Sequence, residues 1–351
     1  MKIGKYKINE ESPIFIIAEL SANHNGKIDI AIETIKAAKR AGADCIKLQT
    51  YTADTITLDS RKNDFMVKGT IWNGKNLHDL YKEAYTPWEW HEELFKVASN
   101  EGLECFSSPF DRSAVDLLES LNTPAYKIAS PEITDIPLIE YVASKHKPVI
   151  ISTGIAEMGD IELAIDACKR MGNEQIALLK CTTSYPAPIE EANLKMIKDF
   201  QSRFNVISGL SDHTMGSLAP VLSTCLGAKI IEKHFILDRA MGGVDSSFSM
   251  DESEFTDMVR AVRNAEKALG RVDYELTQKQ REGKTYCRSL YVSKDMKEGD
   301  LITMENVRSV RPGYGLHPKF LETILGKQVN CDLEFGTPMD LKFVNLESLI
   351  E

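Results

Sequence analysis

The chain has no Cys-x-x-Cys pair, no internal repeat beyond its alternating elements, and no low-complexity tract. No apolar run approaches the roughly 18 residues that a membrane span needs. A basic excess is missing too: 42 Lys and Arg face 52 Asp and Glu, for a net charge of −10. Nucleic acid and anionic membranes therefore lack electrostatic support as partners, and any anionic ligand must be held by local groups. Aromatic residues are sparse in most loops, so no base-stacking surface is indicated. The seven cysteines, at 45, 105, 168, 181, 225, 287 and 331, are odd in number, widely spaced and mostly set in apolar runs. That pattern predicts reduced, packed thiols. Met1 to Ser12 is mostly polar and lacks a signal-peptide pattern, so the expectation is a soluble, cytoplasmic protein.

What is present is material for one large and one small domain: 351 residues, 43% of them hydrophobic. Eight short apolar or β-branched runs recur: IFIIAEL (14 to 20), CIKLQTY (45 to 51), ECFSSPF (104 to 110), AYKIAS (125 to 130), PVIISTG (148 to 154), IALLKCT (176 to 182), VISGLSD (206 to 212) and KIIEKHF (229 to 235). Helical periodicity fills the gaps. Ile28, Ile32, Ile35 and Ala38 make one stripe; Phe255, Met258, Val259, Val262 and Leu269 make another, ending at Gly270. Thr86-Pro-Trp-Glu89 reads as a capping box that starts a helix running to about Gly102. Eight strand and helix units predict an α/β fold, a closed (β/α)8 TIM barrel over residues 1–270. Residues 271–284 are polar and read as a linker, and 285–351 as a small β-rich module with Gly and Pro turns. Residues 52–85 are too long for an ordinary connection. They predict an excursion over the barrel mouth, with a surface insertion lacking a role as the alternative.

Barrel enzymes carry their chemistry at the C-terminal strand ends, and here those ends are polar. They offer Glu19; Lys47 and Gln49; Ser107 and Ser108; Lys127 and Ser130; Ser152 and Thr153; Thr182 and Thr183; Ser211 with His213; and Glu232 with His234. His213 and His234 close adjacent strands, which lie about 4.8 Å apart, so both can reach one ion. Two imidazoles with carboxylate or water suit Mn²⁺, Fe²⁺ or Zn²⁺; either histidine could instead be a hydrogen-bonded structural residue. Glu232, two residues before His234, points to the same side. Lys47 and Lys127, with hydroxyls from Ser108, Ser130, Ser152 and Ser211, have the composition of an anion cradle. Ala22-Asn-His-Asn-Gly26 is either a ligand loop or a plain turn.

In order along the chain, AELSANHNG, GADCIKLQTY, CFSSPF, YKIAS, STG, KCTTSYPAP, GLSDHT and EKHFILD, followed by SLYVSKDMKEGDLIT, SVRPGYGLHP and LGK, resemble the sialic acid synthase family over nearly the whole length, the tail being similar to its antifreeze-like SAF domain. Leu20-Ser21, the SSPF form, RSLY and GLHPKF resemble the branch that makes pseudaminic acid, with the N-acetylneuraminic and legionaminic acid branches as alternatives. The resemblance implies an enzyme that condenses phosphoenolpyruvate (PEP) with an acetamido sugar and releases phosphate. It implies metal binding, usually of Mn²⁺, at His213 and His234, and PEP binding by Lys47, Ser108, Lys127, Ser130, Ser152 and Ser211. Catalytic positions fall on Glu19, Glu232 and Lys47, with Glu19 the first choice for orienting water and Glu232 the second. Sugar contacts fall on Glu132, Tyr185 and Asp245. It also implies a homodimer whose SAF domain covers the partner's barrel, carrying Arg311 to the other sugar site. Gly243-Val-Asp-Ser246 departs from the family's Gly-Pro-Asp-His segment. A metal-dependent aldolase and a non-catalytic sugar-binding protein are the rival classes.

Overall fold

In the computed structural model, residues 1–346 are described, and the chain divides into two compact units, the first Met1–Gly270 and the second starting at Arg271. All eight runs become parallel strands: β1 (Phe15–Glu19), β2 (Cys45–Thr50), β3 (Glu104–Pro109), β4 (Tyr126–Ile128), β5 (Val149–Ser152), β6 (Ile176–Cys181), β7 (Ile207–Asp212) and β8 (Ile230–His234). They close into a barrel in chain order, β8 pairing with β1 in the register Ile230↔Phe15 to His234↔Glu19. Helices α1 (Ile28–Arg40), α2 (His91–Asn100), α3 (Arg112–Ser120), α4 (Ile136–Ala143), α5 (Met158–Arg170), α6 (Met196–Phe204), α7 (Leu218–Cys225) and α8 (Glu252–Leu269) follow the strands in turn.

The two-residue period of a strand sorts the side chains. Ile16, Ala18, Ile46 and Ile231 point outward and pack with Ile35, Leu94, Phe255 and Val262 of the helices. Phe15, Ile17, Cys45, Phe106, Ala125, Ile150, Leu179 and Ile230 form a separate lumen core, joined by Ile3 and Ile8 around the N-terminal hairpin Lys2–Ile3/Tyr6–Lys7. Burial of each such Ile or Phe contributes about 1.5–3 kcal/mol. On the same parity, two or four residues further along, stand Glu19, Lys47, Ser108, Lys127, Ser152, Ser211, Glu232 and His234. The lumen is thus apolar at its base and ionic at its mouth.

Several sequence expectations need correction. The Thr86 hydroxyl does not cap a helix; it meets His24 Nε2 at 3.4 Å, a 3₁₀ turn spans Trp88–Trp90, and the α-helix begins only at His91. The polar stretch 271–284 holds a short helix, Gln278–Gly283, capped by Thr277 and Gln280. In the second unit the expected strands reduce to one antiparallel pair, β9 (Ser289–Val292) with β10 (Val307–Val310), the rest being turns and single bridges around Leu290, Met296, Ile302, Ile324 and Val329. Frequent Gly and Pro residues interrupt the ladders there. Cys225 and Cys287 are exposed and Cys331 half-buried, so only four of the seven thiols are packed.

Candidate active site

Glu19, Lys47, Lys127, Ser211 and Glu232, drawn from five strands, meet in the lumen mouth and are all buried. Glu232 Oε1 accepts from Ser211 Oγ at 2.9 Å and from Lys127 Nζ at 3.2 Å, with Lys47 Nζ 3.8 Å away. Lys47 in turn pairs with Glu19 at 2.5 Å and donates to Ser108 Oγ at 3.3 Å. Gln49, on the same face of β2, donates to Glu19 at 3.2 Å. Burial works to neutralise both carboxylates, but with different outcomes. Glu232 stays below the usual carboxylate range because Lys127 and Lys47 outweigh burial. Burial pushes Glu19 up to about 7 against the pull of Lys47, with the nearby Glu232 charge adding to the rise. Burial also lowers the Lys127 ammonium, even with Glu232 beside it.

Ser130 sits in the 3₁₀ turn after β4 and accepts a hydrogen bond from Gly154 N at 3.0 Å. Ser152 Oγ and Thr183 Oγ1 are buried with no hydrogen-bond partner. A Cβ on Gly154 would come within 2.0 Å of Thr183 Oγ1 and 2.8 Å of Ser130 Oγ. Glycine therefore keeps open a space lined by the Thr183 and Ser130 hydroxyls, the first of them without a partner, and a buried hydroxyl left unpaired is a group that a bound anion could satisfy. Ser107, by contrast, faces outward and bonds Thr50, itself joined to His91; strand parity separates it from Ser108.

His213 and His234 lie with ring centroids 5.3 Å apart. His213 Nδ1 faces the Thr182 carbonyl at 2.8 Å, which orients the ring and leaves Nε2 for a ligand. His234 Nδ1 is buried without a partner, 4.0 Å from Asp245 Oδ2. Burial, with the charges of His213, Lys47 and Lys127, holds His234 well below the usual histidine range, so it is neutral and able to ligate. Among the described residues no group of three or more His, Cys, Asp or Glu is arranged as a complete metal site. The pair fits a cation whose remaining ligands are water and substrate.

Lys233 points out of the lumen, pairs with Asp212, and donates to the carbonyls of Thr214 at 2.5 Å and Gly216 at 3.2 Å. It ties down the loop that presents His213, a role not legible from IEKHF alone. Cys181 Sγ lies 3.8 Å from His213 Nδ1. It was missed because its apolar run reads as core.

Tyr185 stacks 4.4 Å from His213 and 5.0 Å from Phe248. Trp72, from the 52–85 excursion, packs 5.7 Å from Tyr185 and donates Nε1–H to the Val244 carbonyl at 3.1 Å. The excursion thus lies over the barrel mouth. Glu132 follows Ser130, its Oε2 buried without a partner and its carboxyl pushed by burial up to about 7. Asp245 accepts from Ser21 Oγ at 2.6 Å. Arg311 is exposed in the second unit, between β10 and Pro312.

The Ala22–Gly26 loop is not a plain turn. His24 is fully buried, accepting from Gly26 N at 3.1 Å, facing Thr86 and packing edge-on against Trp90. It is enclosed rather than aimed at a ligand. Burial lowers it from the ordinary 6.5 to about 4. The folded protein thus keeps His24 neutral where the unfolded chain would protonate it. Its stabilisation is complete above about pH 6.5 and lost toward pH 4, roughly 3 kcal/mol in all. Chemical denaturation between pH 7 and 4 should show a shallower acid decline in His24→Gln than in the unaltered protein; equal slopes would refute the assignment.

Comparison with known proteins identifies the family. The chain matches the NeuB family over residues 34–274 and the SAF domain over 288–342. It is 49% identical to a pseudaminic acid synthase of Campylobacter jejuni over 96% of this chain and 97% of that one. It is 48% identical to one of Helicobacter pylori, over 93% and 96%. A crystal structure of N-acetylneuraminic acid synthetase from Leptospira borgpetersenii superposes with a TM-score of 0.72 at 30% identity, covering 81% of this chain and 94% of that one. A barrel of this order with these motifs at its mouth, matched over most of its length, makes the chain a member of the NeuB family of sialic acid synthases.

Proposed function

We propose that this protein condenses PEP with the open-chain aldehyde of 2,4-diacetamido-2,4,6-trideoxy-L-altrose, giving pseudaminic acid and phosphate. The observation that carries the chemistry is the buried Lys47–Glu232–Lys127 cluster beside unpaired Ser152 and Thr183 hydroxyls and the His213–His234 pair. The sugar rests on the near full-length identity to pseudaminic acid synthases, against 35% to the diacetyllegionaminic acid synthase of Legionella pneumophila.

Lys127, with Ser108, Ser130, Ser152 and Ser211, holds the phosphate of PEP, and Lys47 offsets the charge of its carboxylate. A divalent cation held by His213 and His234, Mn²⁺ in our reading, would polarise the sugar aldehyde when bound. The PEP methylene carbon attacks the aldehyde carbon, forming the new C–C bond; the carbonyl electron pair goes to oxygen, which takes up a proton. C2 of PEP is left electron-deficient. Water adds there and gives its proton to Glu19, whose carboxyl near 7 suits a base at neutral pH. Glu232, kept ionised, faces the positive charge at C2. The C2–O bond to phosphate then breaks, the hydroxyl on C2 loses its proton to form the ketone, and phosphate departs past Lys127.

Glu132, Tyr185 and Asp245 contact the sugar in this reading. Arg311 reaches it from the partner's SAF domain in a homodimer. Exposed Ile189, Met215, Leu218 and Leu222 near the mouth supply an apolar surface consistent with a second copy. Arg311→Ala should raise the KM for sugar at least about tenfold, the scale of one lost charged hydrogen bond, and leave that for PEP nearly unchanged. Equal KM values for sugar would remove Arg311 from the site. No helix among the described residues is long and apolar enough to cross a membrane.

Because Glu19 must be ionised to accept the proton, turnover should fall about tenfold per unit as pH drops below about 7. Glu19→Gln should lose roughly a hundredfold and flatten that limb; a limb that survives the substitution belongs to another group. The defining experiment is phosphate release from PEP with Mn²⁺, offering the altrose sugar, its legionaminic-series isomer and N-acetylmannosamine in parallel. Release with the first alone supports the reading, release with another reassigns the sugar, and release with none overturns the synthase reading.

A further inference from the structure

We propose that Ser21 is a positioning residue for the sugar, its hydroxyl fixing the carboxylate of Asp245 from the opposite side of the barrel seam. The inference rests on the reading above, in which Asp245 contacts the sugar.

Ser21 follows β1, is buried, and has a φ of 47°. That left-handed conformation brings Cβ too close to the following carbonyl, and glycine is the residue that adopts it freely. A serine held there points to a compensating contact. The hydroxyl donates to Asp245 Oδ2 at 2.6 Å, across 224 residues of sequence.

Its neighbours do a different job. Asn23 Nδ2 bonds the Phe235 carbonyl at 3.0 Å and Ser249 Oγ at 2.8 Å, while Asn25 Nδ2 reaches the carbonyls of Met241 and Gly242 at 3.1 and 3.2 Å. Ser249 Oγ donates to the Asp245 carbonyl at 2.7 Å, and Trp72 holds that of Val244. These contacts stitch down the chain that follows β8. Among the described residues, Ser21 is the one side chain that hydrogen-bonds the carboxylate of Asp245; a longer contact from Ala22 N, at 3.4 Å, shares the same oxygen. That oxygen lies 4.0 Å from His234 Nδ1, so its direction governs what a sugar beside the histidines meets.

The test uses two substitutions with opposite effects on the backbone. Ser21→Gly removes the hydroxyl and relieves the left-handed φ; Ser21→Ala removes the hydroxyl and keeps the Cβ. Both should raise the KM for sugar about tenfold while KM for PEP stays within about twofold, although their thermal midpoints move apart, glycine above alanine. A sugar KM that follows the thermal midpoint instead, or does not change, overturns the proposal with the synthase reading intact. Hydrogen exchange on the ligand-free protein is a readout independent of substrate identity: amides of residues 243–246 should exchange several-fold faster in both variants. If the unaltered enzyme releases no phosphate with any of the three sugars, the function falls first. Unchanged exchange would then also dispose of the Ser21 role, and faster exchange would keep Ser21 as the anchor of Asp245.

Discussion

Replacing His234 by alanine should strip the protein of bound divalent metal and reduce phosphate release by about a thousandfold, equivalent to ~4 kcal/mol of transition-state stabilisation. The expectation follows from the state of the imidazole. It is largely enclosed, with a side chain 12% exposed, neutral, with a buried Nδ1 that has no hydrogen-bond partner, and its ring centroid lies 5.3 Å from that of His213. A purely structural buried histidine would have its ring nitrogens satisfied, as His24 does. Titration calorimetry with Mn²⁺ and metal analysis of the purified variant report the first effect, and the phosphate assay the second. Loss of metal with normal turnover would sink the role given to the pair. Retention of metal with lost turnover would make His234 a substrate contact instead.

Lys127→Met should lower kcat/KM for PEP by about a thousandfold while changing the KM for sugar less than about threefold, the scale expected for a buried charge-assisted contact. Lys127 is the better test than Lys47 because Lys47 is already matched by Glu19 at 2.5 Å, whereas Lys127 shares one oxygen of Glu232 with Ser211 and Lys47. Burial lowers the Lys127 ammonium, so PEP affinity should weaken at high pH before an ordinary lysine would titrate. The sign is fixed by the need for the cation: affinity is present at low pH and lost as pH rises. The substitution also leaves Glu232 undercompensated, at a cost of up to ~3 kcal/mol. Thermal unfolding must therefore accompany direct PEP binding by calorimetry. A folded variant that binds PEP normally would remove Lys127 from the phosphate site.

Most of the barrel was legible because strand signals are local. Each of the eight runs carries β-branched or apolar residues at the right length, and the structure moves their ends by no more than about two residues, the usual uncertainty of element boundaries. Errors arose where the decisive partner was distant. Thr86 satisfies a local helix-start pattern, yet His24 takes its hydroxyl. The tail's Gly and Pro spacing was visible, but not that most of its extended segments meet only through single bridges.

For the candidate site, the sequence by itself determined the inventory and much of the geometry: polar residues at strand ends, and a period of two that puts Glu232 and His234 on one side and Lys233 on the other. Those are properties of neighbouring residues, which the backbone repeat relates directly. Only the tertiary structure decided which groups share a proton, a charge or a hydrogen bond. Glu232 is held ionised by lysines from two other strands, Glu19 is pushed toward neutrality by burial, and Lys233 finds Asp212. Ser21 reaches Asp245 across 224 residues. Electrostatic energies depend on distance and on the exclusion of water, and both arise only once barrel closure brings β8 beside β1.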